Sequence, residues 1–209
     1  MARSRRPSEG RPAAAGEEEA YSPPRIIGGD LRRRSLEFTP AVRTRPMKDR
    51  VRESLFNLLG RDVIGTCAID LFAGTGALGF EAVSRGATQA VLAEMHFPTA
   101  DVLRRSVTAL GLADRVEVRA GDVLLWAKRL PPLPAGLPWV VFVSPPWSFF
   151  SERWGELGRL IEVMMESAAS GSTLIVEADT TFDASQLPQP AAWEAREVPP
   201  AVLHFWHKP

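Results

Sequence analysis

Large apolar residues are nearly absent from the first 24 positions and then recur in two alternating rhythms along the rest of the chain. Residues 1–24 are rich in Ala, Pro, Gly, Arg and Glu, with too little apolar area to offset the entropy of ordering, so a disordered tail is expected there. From Arg25, the stretch RIIGGDLRRRSLEF alternates apolar and polar positions around Gly28-Gly29, which predicts a hairpin-like strand, turn and strand. MKDRVRESLFNLLG then places Val51, Leu55, Leu58 and Leu59 at helical spacing, with Lys48, Arg52 and Glu53 on the opposite face and Gly60 as the stop.

After Gly60, short apolar runs alternate with helical patterns. CAIDLFA reads as a strand, GALGFEAVSRGA as a helix, AVLAEM as a second strand and FPTADVLRRSVTALGL as a second helix. RVEVRAGD is a third strand, VLLWAKRL a short helix and PPLPAGLP a Pro-rich loop. WVVFVSPPW is a fourth strand ended by two prolines, residues 152–170 a helix, STLIVEAD a fifth strand, and AVLHFWH a closing apolar strand. Alternating β and α with nearly all-apolar strands implies an α/β fold whose parallel sheet is covered on both faces. There is no internal repeat.

Charge changes this picture only when divided by position. The 209 residues carry 25 basic and 25 acidic groups, yet residues 25–60 are net +5 and residues 61–209 net −5. A basic segment in front of an acidic body points to a polyanion partner, because clustered Arg displaces counterions from phosphates. The single Cys67 excludes an intramolecular disulfide framework and fits a reducing compartment. No Cys/His cluster has zinc spacing, so no metal is expected. MARSRRPSEG has no apolar h-region, no run approaches the roughly 18 apolar residues of a membrane span, and Glu17 to Glu19 stand against an organelle transit peptide. The expectation is a cytoplasmic protein with no membrane contact. Three parts follow: a tail over 1–24, a basic extension over 25–60, and the α/β domain over 61–209.

Candidate chemistry gathers at the strand ends. In DLFAGTGALG, Gly74, Gly76 and Gly79 satisfy G-x-G-x-x-G where the first strand turns into a helix, a geometry that lets a ligand approach the backbone. Two ligands fit such a turn. A dinucleotide brings a pyrophosphate, which suits bare glycines; S-adenosylmethionine brings a cationic methionyl amine, which suits a carboxylate, and Asp70 supplies one. Glu94, 20 residues after Gly74, ends the second strand where an acid accepts both ribose hydroxyls. Asp122 follows the third strand, placed to meet an adenine amine. Each of the three acids also has a plainer reading as a helix cap or solvated loop residue.

Ser144-Pro145-Pro146-Trp147, at the end of the fourth strand, resembles the motif of amino-methyltransferases, usually Asp or Asn, two prolines, then Tyr or Phe. Prolines fix a turn and lack N–H groups, which leaves backbone carbonyls as acceptors for an exocyclic amine; the aromatic can stack on a base. Ser144 offers a hydroxyl where the motif more often has a carboxylate or amide oxygen.

Taken together, RIIGG with its Arg cluster, TRPMKDRVRESLFN, DLFAGTGALGFEAVSRGA and SPPW resemble the RsmD family of ribosomal RNA guanine-N2 methyltransferases, over about Arg25 to Trp206. The resemblance implies a Rossmann-like class I fold with a mostly parallel seven-stranded sheet, helices on both faces, and a basic N-terminal hairpin and helix extension. It implies S-adenosylmethionine as cofactor, with Asp70, Phe72, Ala73, Gly74, Thr75, Gly76, Glu94, Asp122 and Val123 as its contacts, and Ser144 to Trp147 as the target-base site. The implied substrate is the exocyclic amine of one guanine in small-subunit ribosomal RNA. The protein is expected to be a monomer. Arg25, Arg43, Arg45, Arg50 and Arg52 fall in the family's basic extension, and the run Arg32, Arg33 and Arg34 joins them as phosphate contacts. Two positions depart from the family: His96, where an Asp often follows the ribose acid, and Ser144 before the prolines.

Other classes remain. A Ser form of the motif occurs in some DNA amino-methyltransferases, which keeps another nucleic acid open as substrate. A non-enzymatic assembly factor that binds cofactor and ribosomal RNA without turnover is a third reading. A dinucleotide oxidoreductase would have no use for the SPPW turn or the basic extension. His96, His204 and His207 read as structural or solvated, and Trp126, Trp139 and Trp154 as core.

Overall fold

Alternate residues of the central strands point to opposite faces of one sheet, and both sets are apolar. The computed structural model describes residues 23–38 and 47–209. β1 (Cys67–Asp70), β2 (Gln89–Glu94), β3 (Val116–Ala120), β4 (Trp139–Val143) and β5 (Thr173–Asp179) run parallel. β6 (Trp193–Val198) and β7 (Ala201–His207) are antiparallel to each other, and β7 pairs antiparallel with β5. The order across the sheet is β3-β2-β1-β4-β5-β7-β6. The expected mostly parallel seven-stranded sheet is therefore present.

On one face, Ala68, Leu92, Phe142, Ile175 and Phe205 pack with α1 (Asp49–Leu59), α2 (Ala77–Ser84) and α3 (Phe97–Leu110). On the other, Cys67, Ile69, Val91, Val141 and Val176 meet Leu157, Leu160, Ile161 and Met164, which come from the second of two helices, α4 (Phe149–Glu152) and α5 (Trp154–Ser167). Burying each such Val, Leu, Ile or Phe contributes about 1.5–3 kcal/mol, which is why strands covered on both sides lose the polar alternation of a half-exposed sheet.

Several local expectations are corrected. The helix read over 152–170 is present as α5, Trp154–Ser167, but the short α4 before it, Phe149–Glu152, was not read; the two are separated at Arg153, whose backbone leaves the helical region (φ −131°, ψ 24°). VLLWAKRL forms only a 3-10 turn over Val123–Ala127. β6 had no counterpart in the sequence reading. In α1, Val51, Leu55 and Leu59 are buried as expected and Gly60 ends the helix, but Phe56 completes the buried stripe while Leu58 is 47% exposed.

The basic extension is docked on the main body. Arg25 and Ser35 form an antiparallel bridge, and Ile26 and Leu36 join the core beneath α2. The buried Glu81 of α2 is the anchor: it accepts the Ile27 and Gly28 N–H groups at 2.7 Å each and pairs with Arg85 at 2.7 Å and Arg52 at 3.9 Å. Ser84 Oγ accepts the Leu31 N–H at 2.9 Å. Gly29 is in the left-handed region (φ 74°), and a Cβ there would lie 1.8 Å from the Ser84 carbonyl oxygen.

Candidate active site

Each glycine of the G-x-G-x-x-G turn has a separate task. Gly74 (φ 51°) donates its N–H to Glu94 Oε2 at 2.9 Å, which ties the turn to the end of β2. Gly76 (φ 76°) opens α2, and a Cβ on it would lie 2.5 Å from the Phe80 ring. Gly79 lets α2 settle on the sheet: a Cβ there would lie 2.1 Å from Leu92 Cδ2, and its N–H reaches Asp70 Oδ2 at 3.3 Å.

Above this turn is a cavity of about 740 Å³. One end is lined by Leu71, Phe72, Gly74, Glu94, Met95, His96, Asp122 and Val123. Glu94 accepts the His96 N–H at 2.8 Å on its second oxygen, so both carboxylate oxygens are fixed by backbone while each keeps a lone pair. Asp122 caps the 3-10 turn through the Leu124 N–H at 2.9 Å and meets Arg153 at 3.3 Å. The cap reading and the cavity-lining reading of Asp122 thus hold together. Asp70, Ala73, Thr75 and Gly76 are buried and do not line the wall; they lie in the turn beneath it. Burial pushes the Asp70 carboxyl up to about 7, opposed by the Gly79 N–H and reinforced by the charge of Glu94.

The other end of the same cavity is made by Ser144, Pro145, Pro146 and Trp147 after β4, by Met47, Lys48 and Val51 at the start of α1, and by Phe149, Glu177, Pro200 and Ala201. Trp147 is half-buried against the core, and Phe149 meets Phe72 edge-on at 6.1 Å between ring centres. Glu177 of β5 accepts the Ser144 hydroxyl. Burial raises the Glu177 carboxyl above its ordinary range, and the Ser144 hydrogen bond opposes that shift.

These residues fit S-adenosylmethionine better than a dinucleotide. Asp70 Oδ1 is fully buried with no hydrogen-bond partner, an orphan acceptor beneath the turn that suits a cationic amine and repels a pyrophosphate. Glu94 and Asp122 add carboxylates along the same end.

Comparison with known proteins agrees. Residues 24–198 match the family described as Conserved hypothetical protein 95. The ribosomal RNA small subunit methyltransferase D of Escherichia coli K12 is 32% identical over 170 residues, 81% of this chain and 80% of that one. The chain belongs to that family. Its RsmD membership is the one expected from the motifs. The solved structure of the putative methyltransferase yhhF from Escherichia coli superposes on this RsmD-family chain with a TM-score of 0.71 at 29% identity, covering 90% of this chain and 98% of that one. An RNA methyltransferase from Salinibacter ruber, in complex with S-adenosyl-L-homocysteine, gives 0.57 at 20% identity over 78% and 94%, which speaks to the fold alone. The fold is that of class I, S-adenosylmethionine-dependent methyltransferases.

The arginines of this RsmD-family extension divide. Arg25, Arg32, Arg33, Arg34 and Arg50 are exposed, Arg50 also donating to the Pro199 carbonyl at 3.2 Å. Arg52 is corrected: it is 1% exposed and bonds the Arg25 carbonyl at 2.7 Å and Asp49 at 3.0 Å, so it holds the extension in place and offers nothing to an RNA surface. Arg43 and Arg45 lie outside the described residues. Sequence reasoning missed Lys48, Val51, Glu177 and the Pro200 turn as site residues. His204 is buried against Phe182, and His207 meets Thr173 at 3.1 Å. Among the described residues no group of three or more His, Cys, Asp or Glu is placed to hold a metal, and no helix is long and apolar enough to cross a membrane.

Proposed function

We propose that this protein transfers a methyl group from S-adenosylmethionine to the exocyclic N2 amine of a guanine in small-subunit ribosomal RNA, acting as a cytoplasmic monomer. The observation that carries the reading is the single cavity that joins the acid-lined cofactor end to the Ser-Pro-Pro-Trp turn. The family's named methyltransferases support the reaction class and the ribosomal substrate.

Glu94 meets the ribose hydroxyls and Asp122 the adenine amine, with Phe72, Gly74 and Val123 shaping the surface between them; from beneath the wall, Asp70 attracts the methionyl amine, and Ala73, Thr75 and Gly76 form the turn that supports it. The bound cofactor supplies a methyl group already activated on sulfur, so alignment is the main demand on the protein. The target guanine leaves its stack to enter the pocket, a cost that stacking on Trp147 offsets. Pro145 and Pro146 fix the turn, and acceptors from Ser144 and the Pro145 carbonyl orient the amine, an interaction that strengthens as nitrogen becomes pyramidal. Arg25, Arg32, Arg33, Arg34 and Arg50 hold RNA phosphates, as do Arg43 and Arg45 by their place in the extension.

The test is transfer of labelled methyl to small subunits from cells lacking this protein, with the base identified by mass spectrometry. Label in N2-methylguanine is the expected result. Cofactor and subunit binding without label would establish an assembly factor instead, and label only on naked duplex DNA would move the substrate to another nucleic acid.

A further inference from the structure

The acids of the cleft fall in two groups. Glu94 and Asp122 belong to the cofactor end, whereas Glu177 stands at the base end, on β5 and one position beyond the paired Val143 and Val176 of β4 and β5. β5 is otherwise apolar from Leu174 to Ala178, so a carboxylate here is out of keeping with its strand. It is also joined to the motif residue, because Ser144 Oγ donates its hydrogen bond to Glu177 Oε2. A hydroxyl has one hydrogen and two lone pairs. With that hydrogen engaged by Glu177, Ser144 is an acceptor only toward the cavity it lines. A serine without this partner could turn its hydrogen toward an incoming amine, which brings hydrogens of its own.

We propose that Ser144 and Glu177 work as a joined hydroxyl–carboxylate pair, in which Glu177 is the positioning residue that holds Ser144 as an acceptor for the target amine and receives the proton it passes on. The inference rests on the methyl-transfer reading above. As the nitrogen–carbon bond forms and the methyl carbon–sulfur bond breaks, the nitrogen proton passes to Ser144 Oγ while the hydroxyl proton moves to Glu177. The thioether leaves neutral, and Glu177 returns its proton to water when the product departs. The carboxylate that this chain lacks before its prolines is thereby supplied from the neighbouring strand.

The pair works with Glu177 ionised. The charged and titratable groups that share its cleft are Lys48 of α1, Glu94, His96 and Asp122, and the buried Asp70 beneath the wall also feels its charge; from β7, the neighbours Ala201 and Leu203 are apolar. Because burial raises the Glu177 carboxyl, kcat at saturating cofactor rises with pH along an acid limb that belongs to this group.

The experiment measures methyl transfer to small subunits by the full chain and by Glu177→Gln, with S-adenosylhomocysteine calorimetry as a check on folding. The expected result is a fall in kcat of about 100-fold with KM for the subunit and cofactor affinity within about threefold, and loss of the acid limb. Ser144→Asp, placed in the Glu177→Gln background, recovers most of the rate. A kcat for Glu177→Gln within about twofold of wild type overturns the role, as does an acid limb of kcat that is the same in wild type and variant. Absence of label with the wild-type protein overturns the methyl-transfer reading and this role with it, an outcome distinct from an active wild type and an equally active variant.

Discussion

Asp70 is a buried carboxyl with one oxygen bonded to Gly79 and the other facing no partner. Its proton is held up to about 7 against an ordinary 3.8, so its cost to the fold is absent below 3.8, where folded and unfolded states both carry the proton, and grows as pH rises through about 7. Asp70→Asn should therefore stabilise the ligand-free protein by about 2–4 kcal/mol at pH 8 and by nothing at pH 3.5, read from denaturant midpoints. The same variant should weaken S-adenosylhomocysteine binding by about tenfold, and wild-type affinity should rise between about pH 6 and 8 while the variant's stays flat in calorimetry. Equal pH slopes in the two proteins would remove Asp70 from the cofactor's amine. At this scale the motifs made Asp70, Glu94 and Ser144 legible, since each stands at a strand end beside glycine or proline. Glu177 was hidden because STLIVEAD reads as one more strand; its only signal was an acid within an apolar run. Arg52 was misread because it stands in the buried stripe itself, three and four residues before Leu55 and Phe56, where a charged residue reads by type as solvated.

The packing of α2 explains how a polar extension stays in place. Glu81 has two backbone N–H groups and two arginines to satisfy it, and removal of such a buried anchor costs about 3–5 kcal/mol. Gly29→Ala tests the docking without touching the cleft: the left-handed φ and the Ser84 carbonyl together should cost about 2–4 kcal/mol in chemical denaturation. Subunit affinity should fall with it, while cofactor affinity measured by calorimetry stays unchanged. Elements with apolar periodicity were legible in the sequence: β1 to β5, β7 and the stripes of α1, α2 and α3. β6 was not, because WEAREV is an edge strand with four consecutive exposed residues and almost no apolar face. The break between α4 and α5 was not legible either, since it turns on the backbone of Arg153 and leaves the composition of a helix intact.

Over the whole molecule the charge is balanced, yet the exposed Arg25, Arg32, Arg33 and Arg34 gather on the extension. If three of them meet phosphates, replacing Arg32, Arg33 and Arg34 with Ala should lower the salt dependence of subunit binding, the slope of log K against log salt lessening by about 2–3. An unchanged slope in filter binding across a salt series would place the RNA elsewhere. The strand order carries a further consequence, one that concerns time. β7 lies between β5 and β6, so the inside of the sheet is finished by residues synthesised after both of its neighbours. Until 201–207 have left the ribosome, β5 is a bare apolar edge, β6 has no neighbour, and the cleft lacks Ala201. Vectorial synthesis therefore keeps the cleft incomplete in the nascent chain until residues 201–207 are free to pair with β5 and β6.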